Sequence, residues 1–177
     1  MSYQTRALNR AQNAIRGWLL LGVLAFALLP WYFLADKSVL EALPGVFGGP
    51  DAASGVVQWL RHGRRWLAMA PLGLLCAGIG CLLPAGRRQG CWLTFGGALG
   101  AIGLLASGFA IAQGQPGIGL GGALVLVALL MLLGAGIARL GGFRGDVFVA
   151  SSVVFCGALM ALFVALPVLK EIGRAHV

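Results

Sequence analysis

Hydrophobic positions in this chain gather into five long runs separated by short polar segments. A membrane-crossing helix needs roughly 20 mostly apolar residues. Residues 17–34, 66–83, 91–111, 120–138 and 147–169 each meet that requirement. In lipid every backbone amide must bond within its own segment, so these runs predict α-helices. Barrel strands alternate in polarity and run about ten residues, which excludes a β-barrel. The expected fold is all-α and polytopic, about five transmembrane helices, with the membrane region over 1–170.

The punctuation between runs sets the topology. Residues 35–65 are the one sizeable polar segment, with Asp36, Lys37, Glu41 and Asp51 and turn signals around Pro44 and Pro50. Within it Val56, Trp59 and Leu60 fall on one helical face, so the segment reads either as a short interfacial helix or as an ordinary loop with a basic end. Pro84 to Gly90 is a tight basic turn, 113–117 an uncharged turn, and Gly141 to Asp146 a turn into the fifth run. Trp18 at one end of the first run, and Trp31 with Tyr32 at the other, read as interfacial anchors.

Composition removes the soluble alternative. Charged residues make up 10% and hydrophobic residues 59% of the 177 positions, against about 25% charged in a soluble domain. The net charge of +8 does not point to nucleic acid, because the basic residues sit at the ends of apolar runs, where anionic headgroups of the lipid bilayer lie. Counting Lys and Arg beside each run gives an orientation. Seven (Arg6, Arg10, Arg16, Arg87, Arg88, Arg139, Arg144) fall on the N-terminal side and five (Lys37, Arg61, Arg64, Arg65, Lys170) on the other. The positive-inside bias then places the N-terminus in the cytoplasm. The first run is too long and too poorly followed by small residues to be a cleaved signal.

Candidate chemistry is sparse, and the reading is of a non-enzyme. No run holds an internal Asp, Glu, Lys or Arg, whereas intramembrane relays need such groups. His62, among arginines, lacks the companions of a metal site. Cys76 and Cys81 are five apart, not the spacing of a dithiol redox pair; these two, with Cys91 and Cys156, read as small apolar residues. No phosphate-cradling loop is present, so ATP is neither bound nor hydrolysed by the chain itself. No catalytic, cofactor-binding or metal residue is assigned. The 29 glycines suit close helix packing, and Gly-x-x-x-Gly occurs at Gly96/Gly100 and Gly117/Gly121.

The last third carries a resemblance. Gly114-Gln115-Pro116-Gly117-Ile118-Gly119-Leu120-Gly121-Gly122, then Gly142-Phe143-Arg144-Gly145-Asp146-Val147-Phe148-Val149, then Phe163-Val164-Ala165-Leu166-Pro167-Val168-Leu169-Lys170 resemble the N-terminal region of bacterial ATP-binding-cassette permease subunits of the iron(III)-import type, in a subgroup with extra leading helices. The resemblance implies the leading part of a permease subunit in the inner membrane, serving a solute importer of that class. Its partners would be an ATPase subunit and a periplasmic solute-binding protein. It implies that the fifth run is the first helix of the permease core. The E-A-A…G loop by which that family docks its ATPase does not occur in this chain, and no site residue is carried over. A small non-transporting scaffold or assembly protein is the alternative.

Residues 171–177 form a separate class. They read like the translation of a widely used sequencing adapter, GAG-ATC-GGA-AGA-GCA-CAC-GTC, which continues with a stop codon. The expectation is that the natural gene continues past Lys170 into further helices. Small-residue faces at Gly96, Gly100, Gly117 and Gly121 would then be left uncovered in this chain.

Overall fold

The computed structural model describes residues 3–34, 38–49, 52–107 and 117–174, with side chains described at 8–34, 38, 40–49, 52–107 and 117–164. The elements are α1 (Tyr3–Leu28), α2 (Val39–Ala42), α3 (Gly55–Leu60), α4 (Met69–Leu82), α5 (Arg87–Ala106), α6 (Leu120–Arg139) and α7 (Val147–Arg174). Five helices are long and apolar enough to cross a membrane. No strand is present among the described residues beyond isolated bridges at Pro30–Ser54 and Tyr32–Ile118. The chain is an all-α, multi-pass membrane protein.

Short connections make sequential helices antiparallel neighbours. The α4–α5, α5–α6 and α6–α7 pairs pack in turn, and α1 closes against α6 and α4. Helix α6 lies at the centre, with 56% of its span buried. Ile15 on α1, Leu93 on α5, and Leu129 and Leu132 on α6 have no exposure at all.

Small residues fix how near the helices come. A Cβ on Gly73 of α4 would stand 2.6 Å from both the Gly100 Cα and the Gly96 carbonyl oxygen of α5. Gly97, on the next face of α5, lies against the Leu129 carbonyl and Leu133 of α6. The first Gly-x-x-x-Gly pair is therefore a true helix contact. This corrects the expectation that these faces are left uncovered. Gly96 and Gly100 are covered by α4 and α6, and Gly121 by the carbonyls of Leu29 and Pro30; Gly117 has only the Phe33 side chain at 4.0 Å. The open side of the bundle is at α7 instead, where 11% of the span is buried.

Helix bounds depart from the predicted runs where local chemistry outweighs hydropathy. Helix α1 ends at Leu28 rather than 34, because Pro30 has no amide to donate and restricts Leu29 to extended backbone. The chain beyond it stays unwound and finds other partners: Trp31 N–H donates to the Ala53 carbonyl at 3.1 Å, and Phe33 N–H to Gly117 at 2.8 Å. In the other direction, Gly119 N–H donates to Trp31 at 2.8 Å and Gly121 N–H to Pro30 at 3.0 Å. Trp31 and Tyr32 are consequently core residues at this end, 3% and 6% exposed, which corrects their reading as interfacial anchors. Helix α5 begins at Arg87, so the basic pair lies in its first turn and not in the loop. Helix α6 nearly coincides with its predicted run. Helix α7 continues through Arg174, across the predicted boundary at 169.

The polar segment is a folded cap over one end of the bundle. Ala42, Val46, Ala52, Ala53, Ser54 and Gln58 are buried in it, and the Phe26 and Trp31 rings meet edge-on at 5.5 Å beside Gly55. In α3, Val56 and Trp59 pack on the core while Leu60 is exposed, so the short helix is real and its apolar face is split. Two arginines of the basic end are used internally: Arg64 donates to the Tyr32 hydroxyl at 2.6 Å, and Arg61 to the Phe47 carbonyl at 3.2 Å. Asp36, Lys37, Pro50, Asp51, the 113–116 turn, the predicted end of the third run at 108–111 and the terminal 175–177 lie outside the described residues.

Candidate functional site

The end of the bundle opposite the cap gathers the N-terminal part of α1, the α4–α5 turn and the α6–α7 turn. Here α5 and α6 come close because position 90 is Gly: a Cβ there would stand 3.0 Å from both the Gly136 carbonyl oxygen and the Arg139 Cβ. On the facing side, a Cβ on Gly136 would strike the Thr94 hydroxyl. Such proximity draws the last turn of α6 inward and takes the base of Arg139 with it. The Nε and Nη2 groups of Arg139 are closed off from solvent and have no hydrogen-bond acceptor among the described residues. A cation in the last helical turn interacts favourably with the exposed carbonyl end, but two buried N–H groups without acceptors carry an unrelieved desolvation cost.

The next turn reverses the chain through backbone that side chains seldom adopt. Gly141 and Gly145 have φ of +101° and +80°, where glycine is unstrained. Between them Phe143 and Arg144 also take left-handed conformations, φ 50° and 56°. Each costs about 1–2 kcal/mol for a residue with a Cβ. The result is that Arg144 lies on the wall of the same cleft as Arg139. Asp146 then starts α7, its Oδ1 accepting the Phe148 N–H at 2.9 Å and the Val149 N–H at 3.1 Å. That carboxylate is an N-cap, committed to the helix it begins.

These elements enclose a cleft of about 730 Å³ between α1, the end of α6 and the start of α7. Arg10, Arg139 and Arg144 are the cations on its wall, Asp146 the anion, and Trp18, Met131 and Phe148 are among its apolar lining. Beside it, buried Gln89 donates from Nε2 to Gln12 Oε1 at 3.0 Å and to the Gly80 carbonyl at 3.3 Å, tying α5 to α1 and to the end of α4. Ser151 donates to the Met131 carbonyl at 3.0 Å and holds α7 on α6. The arrangement can bind an anion with an apolar body.

The sequence reading gave Arg10, Arg139 and Arg144 only an orienting role. The turn between Arg139 and Arg144 is short enough to put both at the same bundle end, which was legible; their shared cleft with α1 was not. All four cysteines are free; Cys81 is buried in the fold, Cys76 is half-buried, and Cys91 and Cys156 lie on the outside of the bundle within candidate spans. His62 is exposed. No cluster of three or more His, Cys, Asp or Glu occurs among the described residues. Comparison with protein families, characterised proteins and solved structures finds no match to the chain.

Proposed function

We propose that the chain is the leading part of a permease subunit of an ATP-driven solute importer in a bacterial inner membrane, non-catalytic by itself, with its N-terminus in the cytoplasm. The observation that carries this reading is the division of the bundle. Helices α1, α4, α5 and α6 form a closed unit around a filled core, while α7 adheres to α6 and leaves most of its surface outside. Along α7, Val149, Val153, Met160, Phe163 and Val164 form an exposed apolar stripe at the i, i+4, i+7 spacing of one helical face. This is the arrangement expected of extra leading helices followed by a first core helix that belongs to a larger assembly. An ATPase subunit would supply the energy and a periplasmic binding protein the solute, the iron(III) class being what the resemblance favours.

A photo-crosslinking residue at Met160 or Phe163, in native membranes, tests the reading. The expected product joins α7 to another polytopic polypeptide that co-purifies with an ATPase. Adducts with lipid alone would overturn it. The filled core of the four-helix unit favours a second reading, a scaffold or assembly protein without a transport cycle. That reading requires the crosslinked partner to co-purify without any ATPase.

A further inference from the structure

The cleft at the N-terminal end of the bundle has three features that no role in topology explains. Among the described residues its wall carries three guanidinium groups against one carboxylate, and that carboxylate is already engaged by the Phe148 and Val149 amides. The Nε and Nη2 groups of Arg139 are buried without an acceptor among the described residues. Below the arginines the lining turns apolar, with Trp18, Met131 and Phe148. A cleft of ligand size whose wall is positively charged at one end and apolar beyond it suits an anion with an apolar body. The guanidinium fork matches the oxygens of a phosphate, and the apolar wall below it matches glycerol and the upper acyl chain.

We propose that this cleft binds the headgroup phosphate of one anionic phospholipid, with Arg139 and Arg144 holding the phosphate oxygens, Arg10 closing the site from α1, and the acyl chain descending past Trp18 and Phe148. An inorganic phosphate shares the oxyanion chemistry but leaves the apolar wall bare, so the lipid is the occupant. Its net negative charge matters, because the uncompensated charge on the wall is positive and a zwitterionic headgroup returns an ammonium to it. Basic pockets between membrane helices are suited to such headgroups. A bound lipid would join α1 to the α6–α7 turn, fastening the α7 start to the four-helix unit. The inference is independent of the permease reading.

Purified protein in neutral detergent, with thermal unfolding and native mass spectrometry as readouts, supplies the test. The probes are phosphatidylglycerol, phosphatidylcholine and inorganic phosphate, each added separately. Phosphatidylglycerol should raise the unfolding temperature and survive as a one-to-one adduct, and phosphatidylcholine should bind at least about tenfold more weakly. Arg139→Gln and Arg144→Gln should each weaken phosphatidylglycerol by about five- to tenfold, while Arg65→Gln, at the cap end, should leave it unchanged. Should Arg139→Gln fail to fold, Arg144→Gly decides. It removes a left-handed side-chain residue, so the lipid-free protein should unfold at the same or a higher temperature while the lipid-dependent rise is lost. Equal protection by inorganic phosphate would convert the site to one for free anions and refute the lipid. Equal loss in Arg65→Gln, or no preference for phosphatidylglycerol over phosphatidylcholine, would refute a specific site altogether.

Discussion

Replacing Gly73 with alanine should weaken this protein more than any comparable change on its surface. The added Cβ would stand 2.6 Å from the Gly100 Cα, 2.6 Å from the Gly96 oxygen and 2.8 Å from the Gly100 nitrogen, all of them backbone atoms. Ordinary carbon contacts lie at roughly 3.5–4.0 Å, so α4 and α5 must part locally by about 1 Å. No side-chain rotation can relieve the clash. Overpacking of this kind costs about 1–3 kcal/mol, and the helix preference of Ala over Gly returns up to about 1 kcal/mol. The same exchange at Gly157 of α7 meets nothing within 4 Å and keeps only the favourable part. The two variants should therefore differ by about 2 kcal/mol, with Gly73→Ala the weaker. Unfolding in mixed micelles by a denaturing detergent, followed by tryptophan fluorescence, measures the difference. If Gly73→Ala proves as stable as Gly157→Ala, the close α4–α5 approach is not what holds this pair together.

Three further outcomes follow from other contacts. Gln12→Ala and Gln89→Leu should be coupled by about 0.6 kcal/mol in a double-mutant cycle, the average for hydrogen bonds between membrane helices; additive effects would show that the 3.0 Å bond contributes nothing. Tyr32→Phe should cost about 1–2 kcal/mol through loss of the Arg64 hydrogen bond. It should also be milder than Arg64→Leu, which in addition removes the cation lying 4.6 Å from the ring centroid. A cysteine at Gly48, in a background without other cysteines, should react with an impermeant maleimide only from the periplasmic side. Labelling from the cytoplasmic side alone would invert the topology.

The five crossings were legible because hydropathy over about 20 residues is a strong and local signal. Helix α6 came closest to its predicted run, since Arg139 at one end and the glycines before Leu120 at the other mark its ends in sequence. Helix α1 was misplaced by the same signal. Hydropathy counts Trp31, Phe33 and Leu34 as span, but Pro30 decides the backbone, and beyond it Trp31 and Tyr32 are buried against the cap while Phe33 stays exposed. The cap itself was invisible for a related reason. Its amides bond to segments far away in sequence, as Trp31 does to Ala53 and Phe33 to Gly117, and no periodicity records such pairings.

The arginine cleft was missed because its cause lies in the glycines and its effect in the charges. In sequence, Gly90 and Gly136 read as packing residues, and Arg139 as a marker of orientation. In the fold they are one device. With only hydrogen at position 90, α5 can approach the final turn of α6 until the Arg139 Cβ and the Gly136 carbonyl fill the space a side chain would need. Beside that approach the Nε and Nη2 groups of Arg139 are shut off from water. The left-handed turn at Phe143 and Arg144 then places a second cation on the same wall. A residue serving orientation alone would keep its head in water, as long basic side chains at helix ends do by snorkelling. Arg139 keeps its Nε and Nη2 groups inside instead, without an acceptor among the described residues, and the proposed lipid phosphate would lie against that packed turn.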